Sequence, residues 1–123
     1  DGLRCFRQFD EIRTWSQAQN DCRERGGNLV RISSNADLDL LAAIRVSGNN
    51  AWIGLSDQVN EGNWVWIDGG PVTWTNWYPG QPDWEAEDCA YVGYWNTGNH
   101  GRVGNGNCES DAERRPHYCQ KAK

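Results

Sequence analysis

The first part of the chain switches from strand-like to helix-like spacing of its apolar residues. Residues 3–9 alternate apolar and polar side chains, which predicts a β-strand. Trp15, Ala18 and Cys22 then lie at positions i, i+3 and i+7, a spacing that places them on one buried face of a helix. The paired glycines at 26–27 predict the end of this helix, because glycine accepts the left-handed conformation of a C-cap.

Hydroxyl side chains mark the start of two helices. Thr14 and Gln17 have the spacing of a capping box, in which each side chain bonds the backbone N–H of the other residue. Ser33 and Ser34 can cap a second helix that we expect to run to about Val46. Its predicted buried face consists of Leu38, Leu41 and Ala42.

Beyond residue 56 the chain is rich in Gly, Asn, Asp and Trp and shows almost no helical period. The predicted short strands are 29–32, 51–55, 64–67, 72–77, 89–95 and 117–119. Residues 96–107 predict a loop, because glycine and asparagine dominate them. A strand, two helices and then many short strands indicate an α+β fold, and long loops in such a domain usually carry function.

Composition narrows the class of protein. At 123 residues we expect one domain, 1–123. Only 37% of the residues are hydrophobic, but eight are tryptophan, so a few large side chains must form the core. The net charge of −5 disfavours nucleic acid and anionic membranes as partners and suits a cation. No apolar run approaches the ~20 residues of a membrane span, and we expect any signal peptide to have been removed.

Five cysteines in a small, loop-rich chain indicate a disulfide framework and an oxidising compartment. The spacing contains no CxxC pair and no zinc pattern. Fifteen arrangements of two bridges are possible, each with one thiol left over, and the cysteine positions alone do not choose among them.

The segment 81–89 concentrates oxygen ligands. It holds four carboxylates, one amide oxygen, a proline and an indole in nine residues, and Cys89 closes it. Such oxygen-only donors suit a hard cation, calcium above all. The alternative is a solvated acidic loop.

Several short motifs follow one another along the chain. They are Cys5-x-x-x-Phe9, Thr14-Trp15, Ala18 with Cys22, Gly26-Gly27-x-Leu29-Val30, Trp52-Ile53-Gly54-Leu55, Trp77-x-x-Gly80-Gln81-Pro82-Asp83, Glu87-Asp88-Cys89, Cys108 and His117-Tyr118-Cys119. In order and approximate spacing they resemble a C-type lectin-like domain over essentially the whole chain. The resemblance implies two helices flanking small antiparallel sheets, with a long calcium-binding loop region braced by disulfides.

The same resemblance implies the pairing of the cysteines. Cys22 would bond Cys119, and Cys89 would bond Cys108. Cys5 resembles the second member of an N-terminal hairpin pair whose first member would lie upstream. It is therefore either an interchain cysteine or a free or capped thiol.

In this family Gln81-Pro82-Asp83 resembles the galactose-type version of the primary calcium and sugar site. A cis Pro82 would turn the side chains of Gln81 and Asp83 to one side. The implied ligands of both calcium and sugar are Gln81, Asp83, Glu87 and Asn105. Trp84 would stack on the apolar face of a galactose ring, or else it packs within the loop.

A second cluster, Asp57, Glu61 and Asp88, matches the spacing of the family's auxiliary calcium site. The alternative is that these residues are scattered solvated acids.

Two departures from the family pattern stand out. Gly104 and Asn105 occupy the positions of an asparagine and an aspartate ligand, and Trp95-Asn96 is an alternative source of ligands. The spacing from Asp83 to Glu87 is also about two residues short.

The resulting prediction is a secreted, calcium-dependent lectin specific for galactose or N-acetylgalactosamine glycans, a homo-oligomer that Cys5 can link. The alternative is a C-type lectin-like module that binds protein or mineral, with structural calcium or none. We do not expect an enzyme, because nucleophile, metalloprotease and phosphate-loop motifs are absent. His100 and His117 are expected to be structural or solvated.

Overall fold

The computed structural model describes residues 4–46, 50–70, 72–83, 86–93 and 101–122. The helices are α1 (Trp15–Glu24) and α2 (Asn35–Ala43). The strands are β1 (Arg4–Arg13), β2 (Asn28–Leu29), β3 (Asn50–Ser56), β4 (Val65–Trp66), β5 (Cys89–Gly93), β6 (Arg102–Gly106) and β7 (Arg115–Ala122). A 3₁₀ turn spans Asp111–Glu113. The fold is α+β, as predicted. No helix in the described ranges is long and apolar enough to cross a membrane.

The strands of the described chain form one sheet in the order β1-β7-β3-β5-β6, with β2 paired to β7 and β4 paired to β3. β7 is antiparallel to β1 and parallel to β3. β5 is antiparallel to both β3 and β6. The acidic segment therefore leads directly into β5, and β6 runs alongside it at one end of the strand order.

Helix α1 begins where its capping box predicts. The Gln17 backbone N–H donates to Thr14 Oγ1 at 3.3 Å, and Gln17 Oε1 accepts from the Thr14 N–H at 3.2 Å. The predicted face is buried, with Trp15, Ala18 and Cys22 between 0% and 4% exposed. Local hydrogen bonding and hydrophobic spacing agree here, so the sequence alone is sufficient to place this helix.

We expect the Thr14→Ala variant to lose about 1 kcal/mol of unfolding free energy, because the hydroxyl that satisfies the Gln17 N–H is removed. Urea unfolding followed by tryptophan fluorescence measures this loss. Thr14→Ser retains the hydroxyl and is the control. Equal losses in both variants would mean that the methyl group of Thr14, rather than the cap, provides the stability.

Helix α2 agrees only in part with the prediction. Ser34 is the N-cap and its Oγ accepts from the Asp37 N–H at 3.3 Å. The helix ends at Ala43 rather than near Val46. Leu38 and Leu41 are buried as predicted, but Ala42 is exposed, because the neighbouring elements cover only a narrow stripe of this short helix.

Three strand predictions need correction. Residues 102–106, predicted as loop, form β6, whose five residues pair with β5. Residues 72–77, predicted as a strand, contribute only an isolated bridge from Trp77 to Val103. Of the predicted strand 29–32, only Leu29 lies in β2. Whether these segments form strands depends on their pairing partners rather than on local alternation, since β propensity depends strongly on context.

The core lies against β3, which is buried along nearly its whole length. Trp52 is fully buried, and Trp15 is buried with its Nε1 donating to the Ile53 carbonyl at 2.8 Å. The tryptophans in the described ranges divide into two groups: Trp15, Trp52 and Trp66 are buried, while Trp64, Trp74 and Trp77 are partly buried against the core. Large aromatic side chains thus compensate for the low hydrophobic content.

Two disulfides join distant elements with the pairing that the resemblance implies. Cys22–Cys119 connects α1 to β7, and Cys89–Cys108 connects the start of β5 to the residues after β6. Cys5 is exposed and is a free cysteine within the described ranges.

His117 is structural, as expected. It is 0% exposed, and its Nε2 lies 2.7 Å from Asp21 Oδ2.

Candidate functional site

Two groups of polar side chains flank the start of β5. The first consists of Asp57, which is buried, Asp88, which is half-buried, and Glu61, which is exposed. We call it the buried cluster after Asp57. The loop cluster consists of Gln81, Asp83, Glu87 and Asn105. Both groups were predicted from the sequence, and the fold brings the members of each together.

The buried cluster gathers three carboxylates at the end of β3. Its potential ligand atoms all lie within 4.8 Å of one another. Asp57 is 2% exposed, and its backbone N–H donates to the Asp88 carbonyl at 2.9 Å. The Gly62 N–H donates to Asp57 Oδ2 at 2.8 Å, whereas Asp57 Oδ1 is buried without a hydrogen-bond partner among the described residues. A buried carboxylate oxygen of this kind is costly unless something pairs with it.

The three carboxylates of this cluster repel one another. Desolvation, together with the neighbouring Asp88 and Asp57 carboxylates, raises the pKa of Glu61 from 4.5 to about 7. Three carboxylates in close contact form an all-oxygen donor set that fits a hard cation such as Ca²⁺. The buried Asp57 Oδ1, unpaired among the described residues, adds to this fit.

The loop cluster is built around Asn105 of β6, which is 4% exposed. Asn105 Oδ1 accepts from the Asp83 N–H at 3.1 Å, and its backbone N–H donates to Gln81 Oε1 at 3.1 Å. Its Nδ2 donates to the carbonyls of Asp83 and Glu87, the latter at 2.7 Å. Two of the predicted ligand oxygens, Gln81 Oε1 and Asn105 Oδ1, are therefore already hydrogen-bonded within the protein.

The peptide bond between Gln81 and Pro82 is cis. The carboxylates of Asp83 and Glu87 interact within the loop. Partial burial, followed by the hydrogen bond and charge of Asp83 and the charge of Glu113, raises the pKa of Glu87 to about 7, although the Arg115 guanidinium opposes the shift. Two interacting carboxylates are a donor set that a divalent cation would neutralise, so these residues also fit calcium.

One position departs from the family pattern. A Cβ added to Gly104 would lie 2.7 Å from Tyr91 Oη and 2.8 Å from Tyr91 Cζ. Gly104 pairs directly with Tyr91 across β5 and β6, so the tyrosine ring occupies the space that an asparagine side chain would need. The structure therefore supplies no side-chain ligand at the position where the family has asparagine.

Sequence reasoning missed Tyr91 of β5, Glu113 of the 3₁₀ turn and Arg115 of β7, which lie beside the glycines of β6. The guanidinium carbon of Arg115 lies 4.5 Å from the Trp52 ring centroid and 4.2 Å from that of Tyr91. A Cβ on Gly106 would meet Glu113 Oε1 at 2.6 Å. A signal for such neighbours was present in the sequence. If residues 102–106 are taken as a strand, Gly104 and Gly106 lie on the same face, and glycines in a strand often mark a close approach by another group.

Some predicted site residues lie outside the described ranges. Trp84, the predicted stacking residue, is one of them. Trp95 and Asn96 are others, so neither sugar stacking nor the alternative ligand source has a structural description.

In metal-free solution, we expect Glu87→Gln to raise Tm at about pH 8 and to leave it nearly unchanged at about pH 4. The pKa of folded Glu87, about 7, lies above the ordinary 4.5. Folding therefore favours the protonated acid, and this group's contribution to stability declines as pH rises from about 4.5 to 7. The glutamine mimics the protonated form throughout.

Differential scanning calorimetry of both proteins across this pH range measures the difference in Tm. A difference that does not vary with pH would contradict the prediction. With calcium present, the pH dependence of wild type should reverse, because protons then compete with the ion for the carboxylate.

Comparison with known proteins places the fold and the site in context. A model of the lectin C-type domain matches residues 11–121. A C-type lectin from the snake Erythrolamprus poecilogyrus, lectoxin-Lio3, is 38% identical over 113 residues, covering 80% of this chain and 70% of the relative. An α-N-acetylgalactosamine-specific lectin from the starfish Patiria pectinifera is 37% identical over 98 residues, covering 72% of this chain and 58% of the relative.

Solved structures show the same fold with different functions. The C-type lectin CEL-I from Cucumaria echinata superposes with a TM-score of 0.85 at 28% identity, over 98% of this chain and 91% of that one. A calcium-independent type II antifreeze protein superposes with a TM-score of 0.85 at 26% identity, over 99% and 88%. The matched model covers nearly the whole chain and the fold agrees with it, so this protein belongs to the C-type lectin domain family.

Proposed function

We propose that this chain is a secreted, calcium-dependent lectin module that binds galactose or N-acetylgalactosamine glycans. The observation that supports it most strongly is the convergence of Gln81, Asp83, Glu87 and Asn105, which backbone and side-chain hydrogen bonds hold together. The name of the starfish relative, an α-N-acetylgalactosamine-specific lectin, points to the same sugar class.

The loop cluster has the chemistry to hold vicinal hydroxyl groups. A bound calcium ion would supply open coordination positions for two of them. The carboxylates of Asp83 and Glu87 accept hydrogen bonds from the hydroxyls. Gln81 directs its Oε1 to the Asn105 N–H, which leaves its amide nitrogen to donate. This arrangement of donors and acceptors is the proposed basis of preference for galactose over mannose.

The buried cluster would hold a second calcium ion through Asp57, Glu61 and Asp88. The backbone bond between Asp57 and Asp88 joins the end of β3 to the start of β5. An ion here would stabilise that junction and thereby the loop that precedes β5.

Two disulfides suit an extracellular location. The exposed Cys5 can join two copies, which would convert weak single sites into an avid pair. In this proposal the protein binds its ligand and catalyses no reaction.

The test is calorimetric titration of galactose and mannose, each with calcium and with chelator. We expect calcium-dependent heat with galactose, weaker heat with mannose, and none with either sugar in chelator. Asp83→Asn should abolish galactose binding. Asp10→Asn, the same change at an exposed position on β1, should leave it intact. Galactose binding that persists in chelator would contradict the proposal.

A second candidate is a module that binds protein or mineral without sugar. The loss of the asparagine ligand at Gly104 favours it, as does the similarity to a calcium-independent antifreeze protein. It would be supported if neither sugar gave heat while calcium still bound.

A further inference from the structure

We propose that the side-chain amide of Asn105, rather than a bound cation, is the group that holds Asp83 and Glu87 of the segment 81–89 (the loop) against β6, so that these contacts persist in calcium-free solution. This inference deepens the proposed lectin site by assigning Asn105 a positioning role in place of the ligand role that the family resemblance implies.

The hydrogen-bonding groups around Asn105 select an amide. The Asp83 N–H can only donate, and it meets Oδ1 at 3.1 Å. The carbonyls of Asp83 and Glu87 can only accept, and both meet Nδ2. One amide thus satisfies three backbone groups from both ends of the loop, and only an oxygen on one side with an NH₂ on the other can do so.

A carboxylate at this position would have the opposite effect. Its second oxygen would face the carbonyl oxygens of Asp83 and Glu87, with no proton between them. It would also add a negative charge beside the Asp83 and Glu87 carboxylates, which already interact. A loop built with aspartate there would need a cation to close, whereas the NH₂ group of Asn105 supplies two hydrogen-bond donors without an ion.

The backbone of β6 holds this amide in place from the opposite face. Asn105 pairs with Ala90 of β5, which is fully buried. The neighbouring Gly104 packs directly against the Tyr91 ring. Asn105 itself is 4% exposed, so its side chain is confined to the loop that it bonds.

Amide hydrogen exchange measured by NMR tests the inference without sugar. The relevant protons are the backbone N–H groups of Asp83 and Asn105, which bond Asn105 Oδ1 and Gln81 Oε1. In wild type we expect both protons to be protected already in chelator, before any calcium is added. In Asn105→Asp we expect protection to fall about tenfold or more in chelator and to return when calcium is added.

The matched control is Asn107→Asp, two residues along the chain. Asn107 Oδ1 only accepts, from the N–H groups of Glu109 and Ser110, so a carboxylate can replace its amide. This variant adds the same charge to the same region, and we expect it to leave the exchange of Asp83 and Asn105 unchanged.

Protection in wild type that appears only with calcium would overturn the inference. So would exchange in Asn105→Asp that matches wild type in chelator. If Asn105→Asp unfolds in chelator, the comparison of wild type with and without calcium still tests the inference. A failure to bind galactose would reject the proposed function but would not alter the exchange result.

Discussion

Asp57→Asn should reduce the calcium-induced rise in Tm and, in chelator, should leave the protein at least as stable as wild type. With calcium, the substitution removes a charged ligand from the buried cluster, and we expect calcium affinity to fall at least about tenfold, or ~1.4 kcal/mol. Without calcium, it removes one of three mutually repelling carboxylates, since Asp57 contributes to the raised pKa of Glu61.

The structure explains why asparagine is tolerated at Asp57 in the absence of metal. Its oxygen can still accept from the Gly62 N–H, as Oδ2 does now at 2.8 Å. Its NH₂ replaces Oδ1, the buried oxygen without a hydrogen-bond partner among the described residues. The order of stability of the two proteins should therefore invert between chelator and calcium.

Scanning calorimetry with calcium and with chelator, together with calorimetric titration of calcium, measures both effects on Asp57→Asn. Asp10→Asn is the control, because it makes the same charge change at an exposed position of β1. An undiminished calcium-induced rise in the Asp57→Asn variant would show that the buried cluster does not hold the stabilising ion.

Alanine at Gly27 should destabilise the fold by about 3 kcal/mol or more and lower Tm by roughly 10 °C. A Cβ at this position would lie 1.8 Å from the Gln120 carbonyl oxygen and 2.8 Å from its carbon. Both are backbone atoms of β7, so they cannot move aside as a flexible side chain would. The added methyl group must push β2 away from β7.

The damage would reach the core because β2 is only two residues long. Asn28 and Leu29 pair with Gln120 and Cys119 of β7. Leu29 is fully buried, and displacement of β2 would open a space around its side chain.

Gly26→Ala is the matched control, one residue earlier. Gly26 has a φ of +93°, but nothing lies within 4 Å of an added Cβ. This variant should lose only about 1–2 kcal/mol for the unfavourable backbone conformation. Urea unfolding of both variants gives the comparison. Equal losses would mean that the close approach of Gly27 to β7 is not important for stability.

The two helix starts show what local sequence can predict. Thr14 with Gln17, and Ser34 with Asp37, satisfy backbone groups within one turn, so their chemistry is complete in a few consecutive residues. The end of α2 and the exposure of Ala42 depend on what packs against the helix, and no local pattern carries that information.

Strand β6 shows what local sequence cannot predict. Glycine and asparagine in residues 102–106 favour a loop by propensity. The segment is a strand because it pairs with β5, and because Tyr91, Glu113 and Arg115 fill the space beside Gly104 and Gly106. Tyr91 belongs to β5, Glu113 to the 3₁₀ turn and Arg115 to β7, so only the folded chain shows them together.

The candidate site likewise has features that the sequence predicts and features that only the folded chain shows. The sequence by itself determined the candidate acidic ligands, their spacing and the family, because charge, residue type and motif order are properties of the chain. The tertiary structure decided which oxygens remain available to an ion. It shows Asp57 Oδ1 buried in its cluster, and it shows the amide of Asn105 engaged by the loop. The physical reason is that hydrogen bonds are satisfied in three dimensions, so a residue that the motif marks as a ligand can be occupied by backbone groups that the motif does not include.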